Sequence, residues 1–309
     1  MADATRGTPR RGWGVVGVPS SAAAHWPGLE RAPRALREAG LVEAMRSAGL
    51  SVVDHGDRPE ARFRSARSAN EPNDVGRVVD VVRDAAGAIG EVVAARRRPL
   101  VVGGECTLAI SLVSAFAEAG QQVGVVYVDG GRDLRLPASH PADPILDSMT
   151  VAHLLDLPGA VEALSGVGPQ RPLLTPDRIC FYGVEADEAG GADECLEPAL
   201  RFTSTQVTGD PVGTAVHAAE AASQSADAFV VHLDVDVLDY LLLPAADVPQ
   251  YGRGLRVSTL VQALGIMAAR PQFAGMTVVG FNPDHATGDG STARELVRAV
   301  VSILAHAAR

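Results

Sequence analysis

The sequence feature that most constrains the fold is a set of short apolar runs that each end in an acidic residue. VGVVYV at 123–128 leads into Asp129, and AFVVHL at 228–233 leads into Asp234. Runs without polar alternation are typical of parallel strands that helices cover on both faces. They therefore predict a sheet whose central strands are buried along their whole length.

Helical stretches separate the apolar runs. Residues 74–97 carry apolar side chains at helical spacing, and residues 32–48 are predicted to form a helix with Pro33 in its first turn. The predicted strands lie at 13–18, from 51 onward, and at 100–102, 123–128, 179–182, 228–233 and 276–280. This alternation predicts one three-layer α/β domain over 1–309, with a mainly parallel, doubly wound sheet.

Composition narrows the class of protein. Hydrophobic residues make up 47% and charged residues 21% of the 309, and the net charge is −10, which is typical of a soluble globular protein that does not bind nucleic acid. The basic run at 96–98 is interpreted as the solvated end of a helix. Residues 1–11 are expected to be disordered, and the polar segment 58–73 is expected to be a mobile loop.

The cysteine content and the N-terminal sequence indicate the cellular compartment of the protein. The three cysteines are too few and too widely spaced for a disulfide framework or a zinc finger. The N-terminus has no apolar leader after its charges, and no apolar run reaches membrane-spanning length. These features predict a cytoplasmic protein without a membrane partner.

Two polar clusters follow the predicted strands and carry the candidate chemistry. DGGRD begins at Asp129, and HLDVDVLD contains Asp234 and Asp236, which share one face of an extended chain with His232. Buried carboxylates are costly unless they are paired or bound to metal, and ligands bind beyond the carboxyl ends of parallel strands. The clusters therefore predict a site for a divalent cation such as Mn²⁺ or Mg²⁺. Asp239 is better interpreted as a turn residue or a helix N-cap.

The order of motifs resembles that of the arginase/agmatinase (ureohydrolase) family. GVPSSAAAHWPGLERAPRALREAG looks like that family's first strand, loop and helix, and LVVGGECT lies where the family has GGDHS. DGGRD lies where it has D-A-H-x-D, HLDVDVLDY resembles S-x-D-x-D-x-x-D-P, PAADVPQYGRGL resembles the continuation of that segment, and GFNPDHATGDGSTA resembles an E-x-N-P segment. The resemblance covers nearly the whole chain. It implies an arginase-like fold, a small-molecule substrate, and a homo-oligomer, either a trimer or a hexamer.

The resemblance also implies a metal centre with altered ligands. The family holds two Mn²⁺ ions with four aspartates and two histidines. The four aspartate positions are occupied here by Asp129, Asp133, Asp234 and Asp236. The two histidine positions hold Cys106 and Gly131, the glutamate that meets the guanidinium is replaced by Gly280, and the proton-shuttling histidine aligns with Asp147.

These changes alter the expected metal. Cys106 is either a thiolate ligand, which would shift the preference from Mn²⁺ toward Zn²⁺, or an inert buried thiol. Gly131 offers no ligand, and His232 either substitutes for the lost histidine or is a core histidine. We expect at most one tightly bound divalent ion per chain, Mn or Zn, at the site that contains Cys106, or none.

The changes also bear on the substrate. Without a carboxylate at Gly280, a buried guanidinium would lack a partner, which argues against arginine and agmatine. Gly280 and Asn282 are candidate substrate-binding positions. Arg132 and Arg135 are either solvent-facing loop residues or groups that offset the acids and bind an anionic group.

Three functions stay open at this point. The first is a hydrolase that cleaves a C–N bond of a non-arginine substrate, with a metal that activates water and Asp147 or His140 as proton carrier. The second is a non-catalytic relative that kept the fold for binding or assembly. The third is a metal-independent enzyme of different chemistry in the same cleft, with Cys106 as nucleophile.

Overall fold

A parallel β-sheet forms the centre of the folded protein. The computed structural model describes residues 12–65, 72–138, 145–185 and 199–307. Within these ranges eight strands follow the order β2-β1-β3-β8-β7-β4-β5-β6, and all neighbouring strands pair in parallel. The strands are β1 Trp13–Val18, β2 Val52–Asp57, β3 Arg98–Gly103, β4 Val123–Val128, β5 Ile179–Val184, β6 Leu200–Thr203, β7 Ala228–Asp234 and β8 Phe273–Val279.

Helices cover both faces of this sheet. The helices are α1 Ala32–Glu38, α2 Leu41–Ser47, α3 Val75–Ala94, α4 Leu108–Glu118, α5 Thr150–Leu154, α6 Glu162–Ser165, α7 Ser204–Gly209, α8 Pro211–Gln224, α9 Val257–Ala268 and α10 Ser291–His306. One buried apolar cluster contains side chains of α3, α4 and α5, and a second contains side chains of α8, α9 and α10. The predicted three-layer, doubly wound architecture is therefore confirmed. Within the described ranges, no helix combines the length and apolar character that crossing a membrane requires.

Two elements differ from the sequence prediction. The helix predicted over 32–48 is two helices, because Gly40 adopts a left-handed backbone (φ 87°) between α1 and α2, a conformation that ends a helix. Strand β6 was not predicted. It is a four-residue edge strand, and Leu200 is 37% exposed, so its sequence lacks the continuous apolar run of a central strand.

The segments predicted to be disordered or mobile are only partly described. Residues 1–11 and 66–71 lie outside the described residues. The beginning of the predicted loop is tied to the sheet, since the Arg58 backbone N–H donates to the Gly17 carbonyl at 2.8 Å. The Arg58 guanidinium also pairs with Asp84 at 2.6 Å.

The topology places the polar clusters side by side. Strands β3, β8, β7 and β4 are consecutive neighbours in the middle of the sheet. Their carboxyl ends lead into Gly104, Gly280, Asp234 and Asp129, respectively. Because parallel strands end at the same edge, residues that are far apart in sequence meet there.

His153 in α5 makes a pH-dependent contribution to stability. Its side chain is 1% exposed, and burial lowers its pKa to about 4, which outweighs a backbone contact with Met149. Because the folded state holds the neutral ring, this contribution is complete above pH 6.5 and is lost as the pH falls toward 4. We expect that loss to be about 3 kcal/mol in full, of which about 2 kcal/mol falls between pH 6.5 and pH 5.

Urea denaturation at pH 7.5 and pH 5 tests this expectation. The His153→Leu variant should lose less stability between the two pH values than the unmodified protein. His217→Gln changes an exposed histidine and should leave the pH dependence unaltered. Equal pH dependence in the His153→Leu variant and the unmodified protein would contradict the expectation.

Candidate active site

A cavity of about 450 Å³ opens at the carboxyl edge of the central strands. Its lining is strongly acidic. The lining acids are Asp129, Asp133, Asp147, Glu185, Asp234, Asp236 and Asp247. Arg135 and Arg253 also line the cavity, and Arg253 pairs with Glu185 at 3.1 Å. The cavity therefore combines a carboxylate cluster with cationic side chains.

Cys106 lies within the carboxylate cluster. Its thiol donates to Asp234 Oδ2 at 3.0 Å and lies 3.7 Å from Asp129 Oδ2, while its backbone N–H donates to Asp147 Oδ1 at 2.6 Å. Burial and the neighbouring carboxylates, Asp234 first, raise the pKa of the thiol well above its ordinary value. A protonated thiol is a poor nucleophile, so these surroundings do not favour metal-independent catalysis by Cys106.

Backbone groups orient the three central carboxylates. Asp129 Oδ1 accepts from the Gly131 N–H at 2.6 Å, and Asp236 Oδ1 accepts from the Gly130 N–H at 2.8 Å. Asp234 Oδ1 accepts from the Asp236 N–H at 2.7 Å. The short loops that follow β4 and β7 thus hold the acids against each other.

The geometry and electrostatics of this cluster fit a divalent cation. Carboxylate oxygens of Asp129, Asp234 and Asp236 lie within 4.8 Å of one another. Burial raises the pKa of Asp129 and Asp236 well above the usual range, and the neighbouring carboxylates raise it further. Crowded, buried acids resist ionisation unless a cation neutralises them. Oxygen ligands at this spacing are the type that hard divalent cations prefer.

His232 faces the same cluster from β7. One ring nitrogen lies within 4.8 Å of the Cys106 thiol and an Asp129 carboxylate oxygen. Nδ1 lies 2.7 Å from the Thr277 hydroxyl, and the ring stacks on Tyr127 with 4.3 Å between ring centroids. Nε2 is buried and has no hydrogen-bond partner among the described residues.

Asp133 is engaged differently from the other acids. It adopts a positive φ of 49°, and its Oδ2 accepts a hydrogen bond from the Tyr127 hydroxyl at 2.5 Å. It lines the cavity but is held by the phenol. Asp239 lies in a turn, where it accepts hydrogen bonds from the Leu241 and Gly252 N–H groups, as the sequence predicted.

Comparison with known proteins decides the family. The sequence model described as the arginase family matches residues 11–306. This chain belongs to the arginase family.

Individual arginase-family relatives match along almost the full chain. Human arginase-1 is 25% identical over 303 residues, covering 94% of this chain and 90% of the human protein. The native structure of the arginase from Bacillus caldovelox superposes with a TM-score of 0.83 at 23% identity, covering 95% of this chain and 98% of that one. The formimidoylglutamase from Bacillus subtilis superposes with a TM-score of 0.73 at 17% identity, covering 97% and 88%. The last two likenesses show the shared fold.

Gly280 follows β8 in a crowded part of the site. It adopts a left-handed backbone with φ 75°, and a Cβ atom there would lie 2.1 Å from Asp234 Oδ1. The Asp234 carboxylate therefore occupies the space next to the end of β8. A glutamate at this position would require Asp234 to move.

The other predicted substrate residues have varied surroundings. Arg135 is exposed and lines the cavity, whereas Arg132 is only 4% exposed, so interpreting Arg132 as solvent-facing is wrong. Asn282 is buried and donates to Asp247 Oδ1 at 2.7 Å. His140, the alternative proton carrier, lies outside the described residues.

Asp247 is a site residue that the sequence analysis missed. It accepts hydrogen bonds from the Trp26 indole at 3.0 Å and from Asn282 on the same oxygen, and it lines the cavity. His25 and Glu185 also line the cavity and were not predicted. The quoted motifs PAADVPQYGRGL and GVPSSAAAHWPGLERAPRALREAG contain Asp247 and His25, respectively, so the family resemblance offered a signal for these two residues but not for Glu185.

Proposed function

We propose that this arginase-family chain is a hydrolase that cleaves a C–N bond in a small substrate other than arginine. We further propose that it uses one tightly bound divalent cation in the acid cluster. One observation carries the proposal. The aspartates converge in the cavity, but Gly280 occupies the position at which the family resemblance implies a guanidinium-binding carboxylate. The acids support metal-dependent hydrolysis, and the glycine argues against a guanidinium substrate.

The acid cluster supports the metal part of the proposal. Asp129 and Asp234 are 3% and 6% exposed, and such buried carboxylates are strongly unfavourable without a counter-charge. Cys106, Asp129 and Asp234 would hold the cation, since the thiol lies 3.7 Å from Asp129 Oδ2 and 3.0 Å from Asp234 Oδ2. When bound, the cation would supply a Lewis acid that activates water for attack on the carbon of the C–N bond.

The cavity wall supports a different substrate. At the end of β8, Gly280 offers a substrate amidinium no carboxylate, and the adjacent Asp234 carboxylate is assigned to the metal. An amidinium left unpaired in a buried site is strongly unfavourable. Arg135 is exposed at the cavity and would pair with an anionic group of the substrate. Relatives named arginase and formimidoylglutamase share the fold, so a different substrate in this scaffold has precedent.

Asp147 is the proposed proton carrier. Its Oδ1 is fixed by the Cys106 N–H at 2.6 Å, and it lines the cavity. Burial, with help from Asp133 and other acids, raises its pKa well above the usual range. A carboxyl group whose pKa is raised in this way holds its proton more tightly than an exposed one and can donate it to the departing amine.

Turnover assays on a substrate panel test the proposed function. Neutral ureido derivatives of amino acids would be incubated with Mn²⁺, Zn²⁺ or Co²⁺ beside cationic formimidoyl and amidino derivatives, and ammonia, formamide and urea would be measured. At least one ureido substrate should be hydrolysed in a metal-dependent way and faster than the amidino compounds, and Asp129→Asn should abolish that turnover. Asp289→Asn changes an exposed acid at the start of α10 and should leave it intact. Failure of every panel member with every metal would favour the non-catalytic alternative.

Replacing Cys106 by histidine should strengthen Mn²⁺ binding. The change restores the ligand type of the family pattern and replaces a soft donor by an imidazole. We expect the Mn²⁺ affinity to rise by about 10- to 100-fold, the range usual for changes around a metal site. Calorimetric titration should give at most one tight ion in the unmodified protein.

The matched control for this titration is Cys180→Ala. Cys180 is also buried, but it lies on β5 with its thiol near the Phe181 carbonyl, so Mn²⁺ affinity should not change. Two tight Mn²⁺ ions in the unmodified chain would overturn the single-ion proposal. Unchanged affinity in Cys106→His would remove Cys106 from the metal site.

A further inference from the structure

We infer that the sheet side of the acid cluster forms a site for a soft divalent cation of the Zn²⁺ or Co²⁺ class, held by Cys106, Asp129 and His232. The inference rests on the metal dependence proposed above and names different ligands. His232 is outside the ligand pattern of the family that the sequence resembles, since HLDVD lies where that pattern has S-x-D-x-D. The third ligand is therefore a feature of this chain.

The three donor atoms already lie together. A sulfur, a carboxylate oxygen and an imidazole nitrogen fall within 4.8 Å of one another. Ligand atoms around a single zinc ion lie about 3 to 4 Å apart, so small side-chain adjustments suffice. Cys106 and Asp129 are each 3% exposed and His232 is 1% exposed. Catalytic zinc sites commonly have three protein ligands, and two of the three residues here, Cys106 and Asp129, line the cavity.

The neighbours of His232 fix its imidazole ring in the way that a metal-binding histidine is usually fixed. Nδ1 is 2.7 Å from the Thr277 hydroxyl, which can accept a hydrogen bond from Nδ1–H in the tautomer that leaves the Nε2 lone pair free. Metal-bound histidines generally make such a bond with their second nitrogen. Stacking on Tyr127 fixes the ring plane. Nε2 is buried without a partner among the described residues, and a buried polar atom of this kind calls for a ligand.

The donor types select the class of cation. A thiolate and an imidazole favour Zn²⁺ and Co²⁺ over Mn²⁺ and Mg²⁺, which prefer oxygen. The competing group, Asp129 with Asp234 and Asp236, offers oxygen alone. Asp129 belongs to both groups. A single ion bound to Asp129 therefore lies in the Cys106 group if sulfur is one of its ligands, and in the all-oxygen group if it is not.

Cobalt titration of the metal-free full-length protein, without substrate, tests the inference. One equivalent of Co²⁺ should produce a near-ultraviolet sulfur-to-cobalt band, which Zn²⁺ displaces and Mn²⁺ does not. Cys106→Ser should remove that band, and His232→Asn should weaken Co²⁺ binding by about 10- to 100-fold. Thr277→Val, which releases the ring, should weaken binding by about tenfold.

Controls use matched residues elsewhere in the chain. Cys180→Ala and His217→Asn should leave the band and the affinity unchanged. If the His232 variant does not fold, X-ray absorption on the zinc-loaded unmodified protein decides, because it should show one sulfur and imidazole scattering. An oxygen-only shell, or no near-ultraviolet band with Co²⁺, overturns the inference. Metal-dependent turnover without the cobalt band would support the proposed function and refute this metal site. The cobalt band without turnover would support this metal site and refute the proposed function.

Discussion

Arginine and agmatine, incubated with the purified protein and Mn²⁺, are expected to release urea at least about a thousandfold more slowly than the roughly 10 per second of an ordinary enzyme. Gly280 provides no carboxylate for the guanidinium, and a side chain there would require the Asp234 carboxylate to shift, since a Cβ would lie 2.1 Å from Asp234 Oδ1. Leaving a buried charge unpaired costs about 3 to 5 kcal/mol, which corresponds to this loss. The motif resemblance also implies that Gly131 stands where a histidine would bind metal.

Urea release would be measured with Mn²⁺, Zn²⁺, Co²⁺ and Mg²⁺ at several concentrations. Human arginase-1 in the same assay with Mn²⁺ is the positive control. The experiment is decisive in both directions, because turnover of arginine near 10 per second with any metal would refute the substrate proposal.

Gly280→Glu should destabilise the protein rather than convert it into an arginase. The glycine has φ 75°, a conformation that costs a residue with a side chain about 1 to 3 kcal/mol. Contact with the Asp234 carboxylate and the added buried negative charge raise the expected loss to about 3 to 5 kcal/mol in the free energy of unfolding. Urea denaturation at pH 7.5 measures it.

Gly288→Glu is the matched control, since Gly288 is exposed and a Cβ there meets no atom within 4 Å. Its midpoint of unfolding should stay close to that of the unmodified protein. A Gly280→Glu variant that unfolds at the original midpoint and hydrolyses arginine would show that Asp234 moves freely. That result would remove the steric argument for a different substrate.

The central strands were predictable because burial on both faces leaves a continuous apolar run. VGVVYV predicted β4 with its observed bounds, and AFVVHL predicted β7 to within one residue. Strand β6 and the break at Gly40 were not predicted, since an exposed edge strand has no such run and a single glycine can also occur within a helix. The trimer or hexamer implied by the resemblance, and the cytoplasmic location predicted from the cysteine content and N-terminus, stay predictions.

Site residues that directly follow strands were also open to prediction, because parallel topology brings strand ends together. Asp129 and Asp234 are of this kind. Asp247 is different, since it lies on a loop and depends on Trp26, 221 positions away, for one of its hydrogen bonds. Sequence spacing carries no information about such a contact. The roles proposed for Asp147 and Arg135 depend likewise on how loops fold over the cavity.

The hydrogen bond between Trp26 and Asp247 gives the protein an intrinsic optical signal. The chain has two tryptophans, and Trp13 is 1% exposed in β1 whereas Trp26 is 43% exposed. The Trp26 indole is bonded to a carboxylate that lines the cavity, so its emission is sensitive to whatever occupies that cavity. Trp13 contributes a constant, solvent-shielded background. Ligands can thus be ranked by fluorescence before the reaction they undergo is known.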